Sequence, residues 1–341
     1  GVHLPQYSTH LNQIPNSFIA QAAAQAAAGQ TPTIATSIPN PMAGTSPNAT
    51  IGAPQIVAGQ LDRPFPQYTD INLAGYGCCG SVYNSLQITA TRRFQGGGTL
   101  LVAYTNAKLL TNTDTLTSWL ENGTTGGVGQ VQDWNNLDGE RSLSSQDVSQ
   151  RLVISYVLDL PFGRGQKFLS GLNGVGEKVV SGWGVDGVTT FQRGFPLKIA
   201  WGGAGTPLEA ANLGVSNVRP NVTGGCNRSA RPGGLTGKLN EWFNVNCFAA
   251  PPDWGFGTEP RVDPTLRADG INNFDFAIFK RTAITEGTRL EFRTEFFNLF
   301  NHPQFGFPGT NFVSGSTNGF GQVTSQQNNP RLIQFALKFV F

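Results

Sequence analysis

Apolar and polar residues alternate with period two along several stretches of the chain, and the clearest is the last. In 331–341, Ile333, Phe335, Leu337, Phe339 and Phe341 share one parity, while Gln334, Ala336 and Lys338 take the other. Such alternation marks a β-strand with one apolar, aromatic face. The same pattern predicts strands over 83–94, 99–108, 150–160, 179–201, 272–281 and 289–300. In the first of these, Leu86, Ile88, Ala90 and Phe94 oppose Ser85, Gln87, Thr89, Thr91 and Arg93. The longest, 179–201, sets Trp183, Val185 and Phe191 on one face. The most polarised is 289–300, where Leu290, Phe292, Thr294, Phe296 and Phe300 oppose Arg289, Glu291, Arg293 and Glu295.

The connections between these strands alternate in length without exception. Gln95–Gly98 and Thr285–Thr288 read as tight hairpin turns, and 161–178 is of medium length with a helical turn near 172–180. Between them come the long stretches 1–80, 109–148, 202–269 and 301–329. A soluble sandwich would bury the aromatic faces and expose the charged ones. Short and long connections in alternation instead match an outer-membrane barrel, with periplasmic turns and extracellular loops. An aromatic strand at a free edge invites aggregation in a soluble domain, whereas a barrel supplies lipid for its apolar face and partners for its backbone. The predicted fold is therefore all-β, the C-terminal part of a transmembrane antiparallel β-barrel. About seven meander strands would form an open, curved sheet in isolation. Leu290, Phe292 and Phe296 are expected to face lipid, and Arg289, Glu291, Arg293 and Glu295 the lumen. Residues 1–82 read as a long extracellular loop region, and 83–341 as barrel strands and loops. Proline recurs through the first 64 residues, and only the alanine-rich stretch Ser17–Ala28 predicts a helix there, capped by Gly29.

Composition supports this class. Of 341 residues, 13 % are charged, 43 are Gly and 21 Pro, and Phe (24) far outnumbers Met (1), a strand-and-turn usage with long loops. A net charge of +2 without a basic patch argues against nucleic acid. No apolar run reaches the ~18–20 residues of a membrane-spanning helix. The chain opens at Gly1 with neither initiator Met nor signal peptide and reads as a segment of a larger protein.

Catalytic chemistry finds no support. His3, His10 and His302 are scattered, and no Ser/His/Asp arrangement, HExxH motif or P-loop occurs. Glu291 and Glu295 share a parity with Arg289 and Arg293, which favours an ion-pair ladder over an acid pair. No enzyme, cofactor or metal is expected. Cys226 and Cys247 lie in one predicted extracellular loop, and a bridge between them would be worth about 3 kcal/mol in chain entropy. For the adjacent Cys78 and Cys79 a vicinal bridge, bonds elsewhere and free thiols all stay open. The loop tryptophans Trp119, Trp134, Trp242 and Trp254 either stack on a sugar-like substrate or anchor the loops.

Several segments resemble a known family. GWGVDGVTTFQRGFPLKI, NNFDFAIFKRTAITEGTRLEFRTEFFNLFNHPQFGFP and PRLIQFALKFVF are similar to the C-terminal barrel of TonB-dependent-receptor-like proteins of the Oar type, the carboxypeptidase-regulatory-like family. YNSLQITATRRF, LSSQDVSQRLVISYVLDLPFGRG and LNEWFNVNCFAAP resemble its strands and loops. The resemblance implies a barrel of roughly 22 strands with an internal plug, of which the plug and earlier strands are missing here. It implies a receptor that binds a substrate outside and imports it, with outer-membrane lipid and, through the plug region, the TonB system as partners. It also implies that Phe341, Phe339 and Phe335 form the signal read by the barrel-assembly machinery. An adhesion or structural surface protein displaying long loops is the alternative.

Overall fold

The computed structural model describes residues 2–112, 131–316 and 319–341. Eight strands form one antiparallel sheet: β1 Val2–His10, β2 Asn72–Arg93, β3 Gly98–Thr111, β4 Gln150–Asp159, β5 Trp183–Gln192, β6 Ile271–Ala283, β7 Arg289–Phe297 and β8 Leu332–Val340. They neighbour one another in chain order, and the short strand Ser142–Leu143 adds to the end of β3. The sheet does not close, so it is the open meander expected, with one strand more than the alternation predicts. The extra strand is β1, in a stretch read as loop. It pairs with the first half of β2, from Val2 opposite Gly80 to His10 opposite Asn72, while the second half pairs with β3 from Ser81 to Arg93. The expected boundary at residue 83 thus falls inside β2.

Register fixes which residues share a face. Phe276, Phe296 and Ile333 stand side by side across β6, β7 and β8, as do Ile278, Thr294 and Phe335. Tyr104, Leu152 and Phe191 line up across β3, β4 and β5. One face of the sheet is therefore largely apolar from β2 to β8, with Arg92 and Lys280 on it toward the short-turn end, Lys280 over the Trp183 ring. Neither hydrophobic core of the molecule includes any of its side chains. Phe335, Leu337 and Phe339 on β8 are 70 %, 68 % and 56 % exposed. The opposite face carries the polar parity and one fully buried aromatic, Phe279. Its ring lies on Gly184 directly across the β5–β6 pair, where any Cβ would collide with it.

The described parts of the long connections lie at one end of the sheet and pack into a cap with two cores among the described residues. The first joins Leu197, Ile199, Trp242, Phe243, Phe248 and Leu266 to Phe312 and Phe320. Within it, Phe320 meets Phe243 at 5.1 Å and Phe248 at 5.4 Å edge to face, the arrangement the ring quadrupoles favour. The second joins Ile14, Ile19, Ala22 and Ile34 to Leu208, Leu213, Val215 and Val218. Its helix, Asn16–Ala27, ends as the alanine run predicts, with Gly29 at φ 71°.

Two predicted strands are corrected. Residues 179–201 are not one strand. A helix covers Val175–Val180, Gly182 turns the chain at φ 74°, and β5 ends at Gln192. Beyond Pro196, Leu197 and Ile199 enter the first core, and Ala200–Trp201 pairs in parallel with Asn311–Phe312. The strand expected to reach Phe300 stops at Phe297, because Asn298 turns left-handed at φ 52°.

Candidate functional site

The polar face of the sheet is built by the parity that opposes the aromatic one. On β7, Arg293 donates to Asp186 of β5 at 2.8 Å and to Glu295 at 2.7 Å. Toward the short-turn end, Arg281 of β6 stands 3.6 Å from Glu291 of β7 and 4.0 Å from Asp159 of β4. The guanidinium of Arg281 also lies 4.3 Å from the Phe279 ring centre. Of the residues singled out on 289–300, Arg293 and Glu295 thus form one ion-pair cluster with Asp186 of β5, and Glu291 joins a second one with Arg281 of β6 and Asp159 of β4. Arg289 sits at the turn end of the strand and is exposed.

Nearer the cap, the same face is rich in carboxamides around a single carboxylate, Asp275. Asp275 of β6 accepts from Asn273 Nδ2 and from the backbone N–H of Asn298, both at 2.9 Å. Asn298 in turn donates to the carbonyls of His302 and Asn329, and its Oδ1 accepts from the His302 N–H. His302 is thereby a loop support, through its backbone. These bonds hold the connection 298–331 over the ends of β6, β7 and β8, leaving a cleft of about 580 Å³.

The cap is pinned by buried charge. Arg219 meets Glu140 through two nitrogens at 2.7 and 3.3 Å, joining two connections that are far apart in sequence. Arg261 donates to the carbonyls of Glu140 and Thr111, and Arg267 binds Asp147 and the carbonyl of Gly194. Arg228 is 2.6 Å from Asp263 and 3.2 Å from Glu259. Burial and the neighbouring Asp263 push the Glu259 carboxyl up to about 9, so at neutral pH it carries a proton and Arg228 balances Asp263. The short contact to Glu259 is therefore a hydrogen bond to a neutral acid rather than an ion pair. Cys226 and Cys247 are joined by a disulfide in this same region, and Cys78 is joined to Cys79.

The loop tryptophans do not form a shared surface. Trp242 is 2 % exposed, donates to the Arg267 carbonyl, and lies under Arg231 and Lys238. Trp134 is buried with its ring 5.0 Å from His10. Trp254 packs against the second core, and Trp119 lies outside the described residues. Anchoring, not display, is what the three described tryptophans do. Among the described residues no cluster of three His, Cys, Asp or Glu side chains is placed to hold a metal ion.

An outer membrane beta barrel domain model matches residues 1–334. The chain belongs to that family. No curated protein and no solved structure matches it. Membership of the outer-membrane β-barrel family locates the protein in the bacterial outer membrane. It also accounts for the uncovered aromatic face: strands that cross a bilayer alternate apolar and polar residues and carry their long loops at one end. Sequence reasoning missed the carboxamide cleft, since its residues come from separate strands and a connection of irregular structure. A faint signal was the recurrence of Asn and Gln at 272–273, 298–304 and 326–334.

Proposed function

We propose that the protein is the C-terminal part of a TonB-dependent-receptor-like transporter of the Oar type, admitting an extracellular substrate through the barrel lumen. On this reading Arg289, Glu291, Arg293 and Glu295 face the lumen. Outer-membrane lipid meets the opposite face, and the TonB system acts through a plug held by the complete protein. The supporting observation is the division of the sheet. One face is largely apolar and uncovered, while the other carries two ion-pair clusters of β4 to β7 and, nearer the cap, a cleft. A barrel that served only to display loops has no need of a groomed interior. The ordered cap does suit display, so an adhesion role is the second reading.

Conductance of the full-length protein in a planar bilayer separates the two. Transport through a plugged lumen predicts a closed barrel that opens reversibly when urea loosens the plug. A barrel that stays closed through the same treatment, or is open from the start, removes the transport reading.

A further inference from the structure

We infer that the cleft beneath the connection 298–331 is a binding site for a neutral oligosaccharide. The inference deepens the transport reading by naming a substrate class, and it rests on that reading for the site's lumenal address.

The argument begins with charge. Among the described residues, Asp275 is the sole ionisable one lining the cleft, and its two oxygens already accept from Asn273 and the Asn298 backbone. Nothing there would balance an anion, and the one carboxylate is already engaged, so neither a charged carboxylate nor an ammonium group is selected. The remaining polar lining is carboxamide. Asn298 and Asn328 spend their side chains on holding the loop. In contrast, the side chains of Gln304, Asn329 and Gln334 line the same space and make no hydrogen bond among the described residues. Each free carboxamide offers a donor pair and an acceptor side by side. A sugar hydroxyl, donor and acceptor at once, matches both.

The second observation is apolar. Phe297 and Leu332 stand directly opposite each other on β7 and β8, on the polar parity, and are 40 % and 58 % exposed. An exposed aromatic amid free carboxamides is out of place on a face otherwise given to ion pairs and carboxamides, where the aromatic Phe279 is buried. It supplies the flat apolar surface on which the C–H face of a pyranose ring rests, while the hydroxyls at the ring edge reach the amides. The volume of about 580 Å³ falls within the range of small-ligand sites.

Calorimetry on the full-length protein in nanodiscs tests the inference. The probes are maltohexaose, cellohexaose, xylohexaose and mannohexaose, with a neutral tripeptide and galacturonate hexamer as controls. At least one neutral hexasaccharide is expected to bind below about 10 mM, and the controls are expected not to bind. Phe297→Ala and the double variant Asn329→Ala/Gln334→Ala are each expected to weaken binding about tenfold or more. The double variant removes side chains that hold nothing in the fold, so it keeps the test valid if Phe297→Ala misfolds. Absence of binding by all four sugars, binding that the double variant leaves unchanged, or preference for the tripeptide overturns the inference. Sugar binding without urea-gated conductance would retain the site and remove transport. Gated conductance without sugar binding would do the reverse.

Discussion

Raising the pH should loosen the cap, and Glu259 sets how much. Its side chain is fully buried beside Asp263, and its carboxyl is held up at about 9 against an ordinary 4.5. Between those values the folded protein retains a proton that the unfolded chain has released, so stability falls as pH rises. The contribution is fully present below about 4.5 and is lost as pH climbs through about 9. One proton corresponds to about 1.4 kcal/mol per pH unit inside the window, or about 2 kcal/mol between pH 7 and pH 9. Urea titration of the full-length protein in micelles, followed by the fluorescence of buried Trp242 and Trp134, reads the cap. Wild type should lose that stability between pH 7 and 9. Glu259→Gln, a neutral group of the same shape, should cost under about 1 kcal/mol at pH 7 and flatten the slope above it. If Glu259 were instead an ionised partner of Arg228, Glu259→Gln would break a buried pair and cost about 3–5 kcal/mol at pH 7. That cost, or an unchanged slope in the variant, refutes the reasoning.

Four other perturbations are informative. Phe292→Arg places a cation on the apolar face at a cost of about 2–4 kcal/mol if it sits near the bilayer midplane, so it should impair refolding into lipid vesicles far more than Glu291→Arg; equal effects would contradict the face assignment. Arg219→Met leaves Glu140 buried without its partner and should lower cap stability by about 3–5 kcal/mol, with Arg219→Met/Glu140→Leu recovering much of it in the same urea assay. Replacing Cys226 and Cys247 together by Ser should remove about 3 kcal/mol from the cap and leave the heat-modified gel shift of the barrel unchanged. Deleting Phe341, which is 95 % exposed and lies beyond the last strand residue, should sharply reduce outer-membrane assembly in the native host if the barrel-assembly machinery reads it. Normal surface levels would assign it a girdle role only.

The strands were legible because a bilayer-facing sheet enforces period two more strictly than a soluble one, where loops and helices can cover either face. That is why the bounds expected for β4, β6 and β8 fall close to those observed, and β7 departs only at its cap end. The failures have physical reasons. Val2–His10 contains Pro5 and drifts from apolar to polar along its length, so alternation is weak, and its pairing with β2 shifts register around Leu4. The first part of β2 carries Gly75, Gly77 and Gly80, residues that disfavour strands on their own and are held here by partners on a neighbouring strand. Residues 179–201 looked continuous because Leu197, Ile199 and Trp201 extend the alternation, yet they belong to a core that no local pattern announces.

The cap escaped sequence reading for a deeper reason. On the proposed reading, lipid supplies the hydrophobic term in the sheet, so each strand satisfies its own periodicity without reference to distant residues. The cap stands in water and must bury apolar area against itself, as a soluble domain does. It assembles Ile14 with Leu213, Trp242 with Phe305 and Arg219 with Glu140, contacts between segments distant in sequence that no local periodicity signals. Tryptophans that look like ligand platforms in an irregular loop are then needed inside, which is where Trp134 and Trp242 are found. Two stabilising media in one chain imply two separable transitions. Urea, which weakens burial from water, should release the cap while the lipid-supported strands persist. A lipid-face substitution such as Phe292→Arg should spare the cap's internal contacts and act on insertion.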